Sequence, residues 1–412
     1  MSDLSKSISE SDHEEKESVV DLKKSKLKRK LLQHLYTHGS FTIAQLSKHL
    51  HTSVPSVTSL IEELIKEKWL VEIGPAEVQL GRKPALYRLN PHERYVLAID
   101  MNTYASKAYI LNLQNEVIFS QKIAVVIENK PITESLTKEI LKVLQSASCQ
   151  ITDLEAISIS MPGLINPKTG INYTYPNLCK EGKSLPNELE KLLNVNTYVN
   201  HDTKAITLGE HYFGLAQNIE HAITVNMDWN GVGFGLLVNG QVVLGESGFA
   251  GELAHIQVRP QGELCYCGKV GCLDTVTKAS YLVKRIKELI QEGHVSLLAN
   301  ENFEKIDIEM VIDAANRGDE LAIDLLQDMG HEMGKVLAIA VHLLNPKTII
   351  IHGVLANAGK FISNPIEQAI YKYCLADYKE SLHVEISQLG EMAKILGLQA
   401  YAIHMILSEN ND

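Results

Sequence analysis

The sequence predicts an α/β protein in which a small winged helix-turn-helix head precedes a larger, actin-like body of two lobes. Three observations lead there. Three amphipathic helix patterns and a hairpin pattern fill residues 22–94. Strand and helix patterns then alternate in two successive halves, each with a βββαβα-like layout. The charge divides at the same place: residues 22–94 carry a net +7, against −5 for residues 1–21 and −13 for the remainder.

Residues 1–21 read as an acidic, disordered tail, polar and without periodicity. A helix is expected from Leu22 to Tyr36, with Leu27, Leu31, Leu32 and Leu35 on one face and Gly39 ending it. Thr42 opens a short helix carrying Ile43, Leu46 and Leu50. After the turn at His51-Thr52-Ser53, Ser53 caps a third helix that tolerates Pro55 in its first turn. That helix should bury Val57, Leu60, Ile61, Leu64 and Ile65 and leave Ser56, Thr58 and Ser59 outside. Residues 69–73 and 85–89 read as the two strands of a wing, with Gly81-Arg82-Lys83-Pro84 at its tip.

From Tyr95 the pattern changes to the body, residues 95–412. Strands are expected at 96–100, 105–113, 117–126 and 156–160, with a helix at 132–146, and the alternation resumes from Val195. No short-period repeat or low-complexity tract interrupts it.

The bulk composition, 45% hydrophobic and 22% charged, is that of a globular protein. No apolar run is long enough for a bilayer, and the acidic, Ser-rich start has no apolar signal region. A cytoplasmic protein without a membrane partner is expected. A basic module on an acidic body fits a DNA-binding head, although a solvated basic face has the same charge. In a helix-turn-helix the second helix of the motif enters the major groove by its N-terminal end. Ser53, Ser56, Thr58 and Ser59 are therefore candidates for base and phosphate contacts, and Arg82 and Lys83 for phosphate or minor-groove contacts. A winged helix used for protein contact is the alternative.

The strongest chemical signal is His255 followed by Cys265, Cys267 and Cys272. One imidazole and three thiolates make a closed tetrahedral set for structural Zn2+, with no open position for water. In a reducing compartment such a cluster favours metal over a disulfide framework. Gly262, Gly268 and Gly271 let the loop turn tightly around the ion.

These residues resemble the ROK (repressor, open reading frame, kinase) family. His255 followed by C-x-C-G-x-x-G-C is similar to that family's zinc motif, and residues 248–255, G-F-A-G-E-L-A-H, resemble its sugar-binding segment. His201-Asp202 through Gly209-Glu210 is similar to its N-D-x-N-A-A-x-x-G-E segment, and residues 228–235 look like its second glycine-rich loop. The resemblance implies a sugar kinase/Hsp70-like body in two lobes, a dimer or tetramer, and sugar contacts by Asp202, Glu252, His255 and Asp274. His201 stands where the family has Asn, and Asp274 where it has Glu, departures that would re-tune the pocket or abolish it. Without the motif, Asp202 would read as a solvated loop acid and Glu252 as a helix-capping one.

The family also contains sugar kinases, in which Asp202 would be the catalytic base. Those kinases carry D-x-G-G-T on the first strand, whereas this chain reads Asp100-Met101-Asn102-Thr103-Tyr104. Both glycines that would admit phosphate are replaced, and the loop at His352-Gly353 lacks the full glycine pair. The expected protein is thus not an enzyme. It is a bacterial sugar-responsive repressor that binds operator DNA as a homodimer or homotetramer. A carbohydrate kinase with a DNA-binding appendage and a ligand-blind repressor are the rivals.

Overall fold

The computed structural model describes residues 19–75, 84–179 and 183–408. Contacts divide the chain into two compact units: the residues up to Glu93 together with those from Ile403 onward, and Arg94–Ala402.

The first unit is built from α1 (Val19–His38), β1 (Phe41–Thr42), α2 (Ile43–His49), α3 (Val54–Lys66), β2 (Leu70–Pro75) and β3 (Ala85–Leu89). Thr42 starts α2 with a capping box. Its hydroxyl accepts from the Gln45 N–H, and the Gln45 side chain accepts from the Thr42 N–H at 2.9 Å. Ser53 caps α3, and Pro55 lies in the first turn, where its missing N–H costs nothing. Leu31, Leu46, Val57, Leu60, Ile61 and Leu64 close the core. Each such burial contributes roughly 1.5–3 kcal/mol. Ile65 was expected among them and is instead 39% exposed. It follows Leu64 directly, and the 3.6-residue period turns the next position off the buried stripe. The strand order is β1-β3-β2, so the short β1, which leaves no period in the sequence, joins the wing to the helices.

The second unit begins with β4 (Tyr95–Met101), β5 (Ser106–Asn112), β6 (Val117–Ile123), α4 (Thr133–Ser146) and β7 (Leu154–Met161). A two-stranded ribbon, β8 (Ile165–Asn166) and β9 (Ile171–Asn172), precedes α5 (Leu185–Leu193), β10 (Thr197–His201) and α6 (Asp202–Phe213). The pattern then starts again with β11 (Ala222–Met227), β12 (Val232–Val238) and β13 (Gln241–Val242). Helices α7 (Asp274–Thr277), α8 (Ala279–Gln291), α9 (Ile308–Asn316) and α10 (Glu320–Leu344) follow. The chain continues through β14 (Thr348–His352), α11 (Lys360–Tyr373), β15 (His383–Ile386) and α12 (Met392–Leu407).

Both five-stranded sheets have the same order. In order of appearance the strands lie 3-2-1-4-5: β6-β5-β4-β7-β10 in one lobe and β13-β12-β11-β14-β15 in the other. Strands 1, 4 and 5 of each sheet run parallel, strand 2 pairs antiparallel with strand 1, and strand 3 pairs antiparallel with strand 2. This duplication is the actin-like architecture expected from the sequence. The parallel strands are apolar on both faces because helices cover both, as in the buried run from Val96 to Ile99. One lobe closes over Leu97, Ile99, Leu136, Ile157, Leu189 and Val199. The other closes over Ile223, Phe234, Leu326, Leu337, Ile351 and Ile366. Helix α10 shows why its ends fall where they do. The Asp319 side chain accepts from the Ala322 N–H at 2.8 Å, and Asn345 stops the helix in the left-handed conformation.

In each sheet the parallel strands end along one edge. There Asp100 pairs in register with Ser160, His201 with Met161, and Asn226 with His352. The carboxyl ends of parallel strands are where α/β sheets hold ligands.

Candidate ligand pocket and metal centre

Four ligating atoms converge beside the second sheet. One ring nitrogen of His255 and the sulfurs of Cys265, Cys267 and Cys272 lie within 4.8 Å of one another. His255 ends a single 3-10 turn, and two antiparallel bridges, Gln257 with Cys272 and Leu264 with Val270, fold the cysteine loop back on it. Gly271 makes that fold possible. Its φ is +73°, and a Cβ there would lie 1.5 Å from the carbonyl oxygen of Arg259. Nδ1 of His255 is 3.6 Å from Cys265 Sγ, and Cys267 Sγ is 3.6 Å from Cys272 Sγ. Bonds of about 2.0–2.3 Å to a tetrahedral ion give ligand-to-ligand edges of about 3.3–3.8 Å. The donor set and its spacing therefore fit such an ion. Burial pushes the Cys265 and Cys272 thiols above their ordinary range, so metal uptake has to displace protons.

Next to this centre is a cavity of about 270 Å3 between the lobes, with Leu164 and Thr174 on one wall and Val232, Glu252 and His255 on the other. His201 also lines it. Its ring caps α6, Nδ1 accepting from the Thr203 N–H at 3.2 Å, which is the task an Asn would perform in that place. Asp202 follows directly, and its Oδ1 accepts from the Thr203 N–H at 2.6 Å and the Thr203 hydroxyl at 3.1 Å. Burial pushes the Asp202 carboxyl up, but His201, Lys394 and the Thr203 donors outweigh it and hold it below the usual carboxylate range. Asp274 lies behind the wall, 1% exposed, with Oδ1 accepting from the Val232 N–H at 2.9 Å. Its Oδ2 has no hydrogen-bond partner, the Lys278 ammonium lies 3.9 Å away, and burial holds the carboxyl above its ordinary range.

Two residues at this site were not singled out from the sequence. Tyr266, between Cys265 and Cys267, lines the cavity and stacks edge-on against His255 with ring centroids 5.1 Å apart. Its hydroxyl is 3.0 Å from His255 Nε2. Only the unassigned position within C-x-C pointed to it. Lys204 is buried on α6, and its ammonium donates to the Gly248 carbonyl, tying that helix to the glycine-rich segment before Glu252. It is a cation inside a run that otherwise reads as a helix start.

On the first unit, Ser56 and Ser59 are exposed on α3 and Thr58 is half-buried. Thr58 donates to the Val54 carbonyl at 2.9 Å, and the Ser53 hydroxyl lies 2.8 Å from that of Ser56. Arg82 and Lys83 lie outside the described residues. Among the described residues, no helix is long and apolar enough to cross a membrane.

A duplicated actin-like body with a cavity at its strand ends, carrying a winged head, defines a two-part ligand-binding protein. The chain belongs to the ROK family, whose profile matches residues 96–405. It is 28% identical over 377 residues to the DNA-binding transcriptional dual regulator NagC of Escherichia coli, covering 91% of this chain and 92% of that one. A crystal structure of a ROK family transcriptional regulator, a homologue of E. coli Mlc, superposes with a TM-score of 0.79 at 29% identity. It covers 93% of this chain and 98% of that one. The glucokinase of Thermotoga maritima is 28% identical over 272 residues, 65% of this chain and 86% of that one. The regulators thus match more than nine-tenths of the chain, and the kinase about two-thirds of it.

Proposed function

We propose that the protein is a sugar-responsive transcription regulator, acting as a repressor. Its winged head grips operator DNA and its body binds a sugar or sugar derivative in the cavity between the lobes. The observation that carries this reading is the union in one chain of a winged head and a ROK body, matched to transcription regulators over nine-tenths of its length. Asp202 and Glu252 would accept hydrogen bonds from the sugar hydroxyls, while His255 and His201, each with Nδ1 already engaged, would donate from Nε2–H to hydroxyl oxygens. Asp274 would orient the Val232 wall of the same cavity. Zn2+ held by His255, Cys265, Cys267 and Cys272 would fix the histidine ring; four protein ligands make it structural. A homodimer or homotetramer in the cytoplasm would place two heads on a two-fold operator. The sugar shifts the spacing of those heads by binding one arrangement more tightly than the other.

Phosphoryl transfer is the second reading, favoured by Asp202, which directly follows the cavity-lining His201, and by the glucokinase relative. Against it, Asn102 and Thr103 occupy the turn after Asp100, closed by the Asn102 N–H on the Ala105 carbonyl at 3.1 Å. A thermal-shift screen with monosaccharides, amino sugars and sugar phosphates tests the first reading, because bound ligand raises the melting temperature. A coupled ADP-release assay with the best sugar then separates the two. Stabilisation without ADP is expected. Sustained ADP formation that Asp202→Ala abolishes would make the protein a kinase.

A further inference from the structure

The internal repeat brings charged residues to matching points in the two lobes. Asp100 lies at the end of the first strand of one sheet, β4, and Asp228 directly follows the first strand of the other, β11. Asp202 opens α6, the helix after the last strand of the first lobe. Lys394 lies in the first turn of α12, the helix after the last strand of the second. These helices cross with their backbones in contact. A Cβ on Gly209 would lie 1.9 Å from the carbonyl oxygen of Ala393, and one on Gly397 would lie 1.7 Å from that of Ala205. No side chain can slide between them, so Lys394 is fixed relative to Asp202.

The Lys394 ammonium reaches across to the first lobe. It is 3.1 Å from each carboxylate oxygen of Asp100, to which the Ser160 hydroxyl also donates at 2.8 Å. Lys394 is 9% exposed. Burial pulls its proton affinity down, but Asp100, Asp202 and Asp228 together outweigh burial and hold the group above the ordinary lysine range. Tyr104, on the turn after β4, reports the same surroundings: burial raises its hydroxyl, and Asp228, Lys394, Asp100 and Asp202 all act on it.

We propose that Lys394 is a built-in counter-ion, its ammonium taking the place that a divalent cation would need among Asp100, Asp202 and Asp228. Three carboxylates at one cleft repel a polyphosphate unless a metal ion bridges them to it. In this chain the bridging place is filled by a cation that is covalently tethered and cannot dissociate. The cleft is thereby closed to a metal-chelated nucleotide whatever the supply of either, and the cavity beside it is left to the sugar. The inference rests on the body being a binding domain rather than a phosphoryl-transfer one, and its test uses neither sugar nor DNA.

The probe is Mn2+ alone, titrated into full-length protein whose His/Cys centre is already metal-loaded and followed by the electron paramagnetic resonance of the free ion. The parent should show no Mn2+ binding that Asp100→Asn removes. Lys394→Met should gain about one Mn2+ per chain, at least roughly tenfold tighter than the parent. Asp100→Asn in that background should abolish the gain, and Lys394→Arg should behave as the parent. Should Lys394→Met lose its cooperative melt, Lys394→Gln carries the same test, with Mn2+ raising its melting temperature. Mn2+ bound by the parent in an Asp100-dependent way, or a folded Lys394→Met or Lys394→Gln chain that gains none, overturns the proposal. Either result leaves the sugar response standing, whereas ADP release by the parent would overturn the regulator reading whatever the Mn2+ titration gives.

Discussion

Nε2 of His255 lies 3.0 Å from the hydroxyl of Tyr266, while Nδ1 of the same ring lies 3.6 Å from Cys265 Sγ. One imidazole therefore has a nitrogen facing the cysteine cluster and a nitrogen facing the Tyr266 hydroxyl at the cavity. A ligand hydroxyl that reaches Nε2 has to displace Tyr266.

Purified protein should contain about one zinc ion per chain. Cys267→Ser should lose it, lower the melting temperature and weaken the response to sugar, because the His255 ring is no longer held. Elemental analysis together with thermal melts checks this, and protein prepared without chelator that contains no metal would refute it.

Asp202→Ala and Glu252→Ala should each weaken the sugar that gives the largest thermal shift. Removing one charged hydrogen bond typically costs about 1.5–3 kcal/mol, roughly tenfold or more in affinity. Isothermal titration measures it. Equal affinities for the parent and both variants would place the ligand elsewhere.

Binding of the full chain to operator DNA should weaken with salt, and Arg82→Ala with Lys83→Ala should lower affinity across sequences and flatten the salt slope. Ser56→Ala or Ser59→Ala should instead change which sequences are preferred. Mobility-shift titrations that no variant alters would indicate a head used for protein contact.

The head should lose stability in acid through His34, whose ring stacks on His49 with centroids 3.5 Å apart and lies 4.5 Å from His38. Burial, with the neighbouring His49 and His38, lowers its pKa from 6.5 to about 4. The unfolded chain then binds the proton more readily than the folded one. The contribution is full above the unfolded value and is lost as pH falls towards about 4. Urea melts of a Trp229→Phe chain, in which Trp69 alone reports the head, should show this decline, and His34→Gln should reduce it. An acid limb of the same steepness in both would remove His34 from the account.

What the sequence made legible was local. His255 and its three cysteines span eighteen residues, so spacing alone brought the set together. Ser53 announced its helix because a cap acts on an N–H three residues away. The duplicated layout followed from alternating periodicities, since each strand carries its own apolar run. Hidden from the sequence was whatever depends on tertiary approach. Lys394 and Asp100 are 294 positions apart, and nothing short of the topology joins them. The strand Phe41–Thr42 is two residues long, too short for any period to register. The motif places Asp274 with the pocket residues, but only the fold shows the Val232 N–H using one of its oxygens.

If metal and sugar share the His255 ring as proposed, the two ligands answer to each other. Whatever factor a bound metal adds to the affinity for sugar, a bound sugar must add to the affinity for metal, because binding free energies close around a cycle. A cell growing on the cognate sugar would thus hold this protein's zinc more tightly against competing chelators than one without it. A chelator titration with and without sugar would read nutrient and metal status from a single curve.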